Sequence, residues 1–242
     1  MKKIIGFSSV VIVVLLAIWG YFYFNTAPNE VAEEAANPTQ AVNVFEENNT
    51  LIFEPKKEQA KTSVILYPGA FVNALSYAPL AKELADSGYK TYVVEMPLDL
   101  AVFGKNKAEA IMNENADEQF VIGGHSLGGV MAARFAHEHA SDLRGVFFLA
   151  SYPDKKGSLK QSGLPVLSIT ASNDGVLNFK KFEENKKYLS NEATFLNING
   201  GNHAQFGSYG KQSGDHDASI SAAKQTAETA EAITNWLQNS VN

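Results

Sequence analysis

The sequence predicts an α/β fold: a mostly parallel sheet with helices on both faces. Two observations carry this reading. Short apolar runs alternate along the chain with longer segments of helical period. The apolar runs are also continuous, as strands buried on both faces must be, whereas a strand with one wet face alternates apolar and polar residues. Both features fall within residues 42–242, which read as one domain. Before it come a predicted anchor, residues 1–24, and a linker, residues 25–41.

The elements follow in order. Ile4 to Phe24 is an uncharged run. As a helix at about 1.5 Å per residue it would span about 30 Å, the thickness of a bilayer core. Lys2 and Lys3 precede it, Trp19, Tyr21, Phe22, Tyr23 and Phe24 crowd its far end, and Glu30, Glu33 and Glu34 follow. The positive-inside rule and the aromatic belt then predict a single-pass anchor in the cell membrane, through residues 4–24, with the domain extracytoplasmic. The competing reading is a cleaved signal peptide and secretion. Its apolar region usually has about 7–15 residues, and Asn25-Thr26-Ala27 is a poor cleavage site. Residues 25–41 show little periodicity and read as a short solvated linker.

Val42–Phe45 and Leu51–Glu54 read as two strands joined by a turn at Asn48-Asn49. Ser63–Tyr67 is a buried strand that runs into Pro68-Gly69-Ala70-Phe71. Tyr77, Leu80, Ala81 and Leu84 recur at helical spacing and predict a helix over Ala74–Ser87, ended by Gly88. Thr91–Glu95 is a strand stopped by Pro97, and Lys105–Glu114 a helix. Phe120–Gly124 is a buried strand and Leu127–His139 the helix after it. Gly145–Ala150 and Pro165–Thr170 are strands, Phe179–Leu189 a helix, Thr194–Ile198 the last strand, and Ile220 to Leu237 the closing helix.

Composition narrows the chemistry. The chain has 242 residues, a net charge of −6 and no basic cluster in its body, so nothing points to nucleic acid. It has no cysteine, which excludes a disulfide framework, a thiolate metal site, a cysteine nucleophile and an acylated lipoprotein.

The catalytic signal is Gly124-His-Ser126-Leu-Gly128. A strand precedes this G-x-S-x-G and a helix follows at once, the context a nucleophile elbow requires. The plain alternative is a strand-to-helix turn whose serine caps the helix. A serine hydroxyl needs a base, and the base needs an acid to fix its tautomer. Downstream, Asp174 follows the strand that ends at Thr170, and His203 follows the strand that ends at Ile198. His216, in Ser213-Gly-Asp-His-Asp217, is the rival base, and Asp154 the rival acid. His125 should point away from the serine, as neighbours in a strand do; His137 and His139 lie at a helix end. A tetrahedral intermediate also needs backbone donors. Leu127 N–H is the first, and the loop after the first buried strand offers Ala70 N–H, with Phe71 as second choice.

These residues resemble the α/β-hydrolases, specifically a bacterial branch of small serine hydrolases. The match rests on Tyr67-Pro-Gly-Ala-Phe-Val72, Tyr77-Ala-Pro-Leu-Ala81, Met96-Pro97, Gly123 to Ala132, Ala150-Ser-Tyr-Pro153 and Gly200-Gly-Asn-His-Ala-Gln-Phe-Gly207. It covers about residues 42–240. It implies the triad Ser126–Asp174–His203 and hydrolysis of an ester-like bond, a carboxylic ester or thioester, through an acyl-enzyme. The branch is loosely similar to dienelactone hydrolases, which use a cysteine where this chain has Ser126. Tyr67-Pro68-Gly69 also departs from the His-Gly start of many oxyanion loops.

The expected partner is a small-molecule acyl substrate, with no metal and no cofactor. Ser151 to Leu164 is too short for a cap domain, so the pocket should be shallow and open. Lys155, Lys156 and Lys160 there read as a solvated charge run before an anion site. A serine peptidase or acyltransferase would use the same triad, and a non-catalytic binding module would share the fold alone.

Overall fold

The computed structural model describes residues 26–57 and 59–241. The anchor expected at residues 4–24 lies outside them. Among the described residues no helix is long and apolar enough to cross a membrane.

In chain order the elements are α1 (Glu30–Ala35), β1 (Val42–Glu47), β2 (Thr50–Pro55), β3 (Thr62–Tyr67), α2 (Ala78–Asp86), β4 (Thr91–Val94), α3 (Lys107–Glu114) and β5 (Gln119–His125). Then come α4 (Leu127–Glu138), β6 (Gly145–Leu149), β7 (Val166–Ala171), α5 (Phe179–Asn185), β8 (Thr194–Ile198) and α6 (Ala222–Trp236). The eight strands form one sheet in the order β1-β2-β4-β3-β5-β6-β7-β8. β1 pairs with β2, and β2 with β4, antiparallel; every other pairing is parallel.

Asn48 and Asn49 join β1 to β2 with φ of 49° and 56°. Both are left-handed, as the tight turn that matches strand twist requires, and asparagine tolerates that region better than other residues with a side chain. Along β3, Val64 and Leu66 enter one core layer with Leu80 and Leu84 of α2 and Ile233 and Trp236 of α6. Ile65 and Tyr67 enter the other, with Ile111 of α3 and Met131 and Phe135 of α4. Strands buried on both faces have no polar face to show, which is why their sequences run apolar without a break.

Three expectations are revised. The helix expected from Ala74 opens as a 3₁₀ turn, Ala74–Tyr77, before α2 begins at Ala78. Pro79 has no N–H to give, which costs nothing in the first turn of a helix, so the regular helix starts with Pro79 in that turn. The stretch expected to be solvated linker contains α1. Asn29 caps it by accepting from Ala32 N at 3.1 Å, its Ala32 is fully buried, and Asn29 N donates to Ser208 O at 2.9 Å. Finally, β8 reads as a buried run but ends the sheet. Phe195 and Leu196 are exposed there, Phe195 lying edge-on to Phe182 of α5 under the Lys186 ammonium.

Candidate active site

Ser126 stands between β5 and α4 at φ 51°, ψ −120°. For a residue with a side chain that is a strained conformation, of order 1–3 kcal/mol, which the surroundings must enforce. They do so through the backbone: Ser126 N donates to Leu149 O at 3.0 Å, and Ser126 O accepts from Ser151 Oγ at 2.6 Å. The motif glycines have a different task. A Cβ on Gly128 would stand 2.2 Å from Tyr67 O, and one on Gly124 2.5 Å from Gly128 C. They let α4 start hard against the ends of β3 and β5, while the left-handed turn is taken by the serine itself.

Asp174 lies in the turn after β7 and His203 in the loop after β8. Because β7 and β8 are parallel neighbours, their carboxyl-end loops meet. Asp174 Oδ2 accepts from His203 Nδ1 at 2.8 Å, and Oδ1 accepts from Val176 N and Leu177 N at 2.8 and 2.7 Å. The two side chains are 0% and 2% exposed. The carboxylate fixes the proton on Nδ1, so Nε2 is the free, basic nitrogen. His203 and Ser126 line the same open cleft of about 280 Å³ with Leu127, Val130, Tyr152, Val176 and Leu177. The lysines 155, 156 and 160 are exposed and do not line it.

Sequence reasoning missed the groups that hold these loops. Asp215 Oδ1 accepts from Gly175 N at 2.9 Å and Oδ2 from Ala204 N at 2.8 Å. One carboxylate thus clamps the residue after Asp174 to the residue after His203. The fully buried Gln225 of α6 binds the backbone of Asn202 on both sides, accepting from its N–H at 2.9 Å and donating to its O at 2.8 Å. The loop 213–217 drew notice in the sequence for its histidine, and its functional content is Asp215.

The rivals are occupied elsewhere. His216 contributes its backbone, donating N–H to Asp215 and accepting at O from Asn202 Nδ2 at 2.7 Å. Asp154 accepts from Arg134 and from Lys156 N and Gly157 N. Partial burial raises its pKa, but Arg134 and the backbone bonds outweigh that and hold it below the usual carboxylate range. His137 Nδ1 meets Ser158 O at 2.7 Å, and His139 stacks on Phe135.

His125 turns from the cleft, as expected. Its Nδ1 meets Tyr77 Oη at 2.8 Å, and that oxygen accepts from Gly69 N at 2.9 Å, so the phenol proton goes to His125. Burial pushes the Tyr77 hydroxyl pKa up, which keeps that proton in place. The His125 ring lies 4.5 Å, centre to centre, from His203. Burial first, then the neighbouring His203, hold its pKa well below 6.5, so it is neutral. Hydrogen bonds thus tie the loop at Gly69 to the His125 ring, which packs against the ring of His203.

Of the expected oxyanion donors, Leu127 N–H is the first of α4 and has no helical acceptor. Ala70 N–H donates to no acceptor among the described residues. The second choice, Phe71, is corrected: its N–H donates to Asp99 O at 2.7 Å. Among the described residues no group of three or more His, Asp or Glu is placed to hold a metal.

Known proteins supply the frame for this geometry. A family model described as "Alpha/beta hydrolase family" matches residues 63–227. Among solved structures, the chain is similar to a dienelactone hydrolase from Anabaena variabilis, with TM-score 0.65, 13% identity, and 84% of this chain and 100% of that one covered. It is similar also to the esterase domain of a Rhodothermus marinus protein, with TM-score 0.61, 13% identity, and coverage of 83% and 98%. A third is an alpha-beta serine hydrolase homologue from Coxiella burnetii, with TM-score 0.56, 17% identity, and coverage of 83% and 99%. No curated protein sequence matches the chain. At such identities the solved structures speak for the fold alone. The family model, spanning more than half of the 242 residues and including Ser126, Asp174 and His203, settles the membership: this chain belongs to the alpha/beta hydrolase family.

Proposed function

We propose that the chain is a serine hydrolase that cleaves an ester-like bond, a carboxylic ester or thioester, through an acyl-enzyme. The observation that carries the reading is the buried Asp174–His203 pair, bonded at 2.8 Å, on the same cleft as a serine held at φ 51°. Ser126 Oγ attacks the acyl carbon as its proton passes to His203 Nε2. The carbonyl oxygen becomes an oxyanion facing Leu127 N–H and Ala70 N–H. The C–O or C–S bond to the leaving group breaks, and that group takes the proton from Nε2. Water then gives a proton to Nε2 and its hydroxide to the acyl carbon; the acid leaves and Ser126 regains its proton. Asp174 orients the imidazole and stabilises the imidazolium, remaining ionised throughout.

The apolar lining by Val130, Val176 and Leu177 suits an acyl chain. The sequence of residues 2–34 further supports a domain held outside the cell on a single-pass anchor. Hydrolysis of p-nitrophenyl acetate tests the chemistry. Ser126→Ala and His203→Ala should each lower kcat by about 10⁴-fold or more, and Asp174→Asn by about 10⁴-fold. Turnover that survives Ser126→Ala in a folded protein would contradict the reading.

A further inference from the structure

Where the chain enters the described fold bears on what the site can reach. Thr26 is buried, and its hydroxyl donates to the Phe71 carbonyl. Phe71 in turn donates its N–H to Asp99 O at 2.7 Å. The loop beside the Ala70 donor is thus tied on one side to Thr26 and on the other to the turn of residues 97–103. The predominantly apolar run from Ile4 ends at Phe24, two residues before Thr26. Two residues reach about 7 Å at full extension. A membrane anchor in that run therefore leaves the bilayer within about 7 Å of Thr26, at the loop that offers the oxyanion donor.

The turn bonded to that loop is apolar and bare. Leu98, Val102 and Phe103 are 60%, 45% and 62% exposed. Their turn is fastened by the buried Ala101 and packs against α4, which carries Leu127 and Val130 to the cleft. Phe179 is exposed just beyond Leu177 and Asn178 of the cleft lining. Single exposed apolar side chains are ordinary, but a cluster on the rim of a site marks an interaction surface. Apolar side chains beside a membrane anchor have an obvious place to go, the headgroup and acyl boundary.

We propose that the mouth of the cleft lies against the outer face of the bilayer, with Val102 and Phe103 sunk into it. The ester that reaches Ser126 is then one whose acyl chain is held in that bilayer. This rests on the serine-hydrolase reading and on the anchor at residues 4–24.

The absence of cysteine makes a clean test. The full chain is reconstituted into phosphatidylcholine vesicles as Phe103→Cys or, at the opposite end of the sheet, as Ser141→Cys, each labelled with the fluorophore NBD. Doxyl-labelled phosphatidylcholine should quench NBD at 103 and leave it unchanged at 141. No quenching at 103, or equal quenching at both, overturns the docking. The substrate class has its own readout in the unlabelled chain. Val102→Ser with Phe103→Ser should lower hydrolysis of p-nitrophenyl palmitate held in vesicles by about fivefold or more, since interfacial contact scales with buried apolar area. Soluble p-nitrophenyl acetate should be turned over at an unchanged rate. Equal effects on the two esters overturn the bilayer-held substrate. Wild-type chain that hydrolyses neither ester overturns the hydrolase reading and this substrate class with it, while the quenching still decides the docking.

Discussion

Asp215 shows how much of the site depends on one side chain besides Ser126, Asp174 and His203. Its two oxygens hold Gly175 N and Ala204 N, the residues just after Asp174 and His203. Bonds to a charged acceptor contribute about 1.5–3 kcal/mol each, and misplacement by about 1 Å can cost about 100-fold in rate. Asp215→Ala should therefore lower kcat for p-nitrophenyl acetate by about 10–100-fold with KM little changed, and Asp215→Asn should recover part of the loss. Steady-state kinetics on the folded variants decide it; an unchanged kcat refutes the clamp. His125 supplies a pH signature. Its folded pKa is depressed, so below about 6.5 the unfolded chain binds the proton that the folded chain refuses. Stability from this group is complete above about pH 6.5 and is lost as pH falls toward the folded value, at up to about 1.4 kcal/mol per pH unit. Tyr77 and His203 are the titratable groups against the ring. His125→Asn keeps an acceptor for Tyr77 and takes no proton, so urea midpoints should fall less steeply from pH 6.5 to 5 than in wild type. Ser126, Asp174 and His203 stood out in the sequence because each follows an apolar run. Asp215 and Gln225 were not, because their partners are backbone groups distant in the chain, and such bonds leave no local pattern.

Among the elements, the β5–α4 elbow is the most tightly constrained. Gly128 lies where a methyl group would meet the Tyr67 and Pro68 carbonyls at 2.2 and 2.3 Å. The Tyr67 carbonyl is not free to move, since β3, which Tyr67 ends, lies between β4 and β5 in the middle of the sheet. Gly128→Ala should lower stability by about 1–3 kcal/mol or more, seen in thermal unfolding, and should abolish hydrolysis by shifting Ser126 and Leu127. A variant of wild-type stability and rate would show that α4 is not pressed against β3. The elbow was read from the sequence because strand, motif and helix agree. α1 was not, since its six residues bury one side chain, Ala32, and that is too little for a period to show. β8 was placed correctly along the chain, yet its exposure was missed: being an edge strand depends on the neighbours a strand lacks, and its own residues do not record that.

For the whole molecule, chain order and parallel pairing do most of the work. Ser126, Asp174 and His203 each follow a strand, and β5, β7 and β8 all run the same way, so the three residues emerge at one end of the sheet. Adjacent strands lie about 4.8 Å apart, so Asp174 and His203 come from neighbouring lanes, while β6 separates them from the elbow. Alternation of apolar runs and helices revealed the parallel body. The order of the strands, with an antiparallel hairpin added outside β4, was not readable, because pairing is set by contacts between distant segments. The central claim is that Ser126 is a nucleophile activated by His203. Labelling by a fluorophosphonate probe tests it most directly, comparing wild type with Ser126→Ala and His203→Ala. The claim predicts rapid covalent labelling of wild type, none in Ser126→Ala, and a rate lowered by about 10⁴-fold in His203→Ala. A folded wild-type protein that the probe does not label, or one labelled equally well without Ser126, would contradict it.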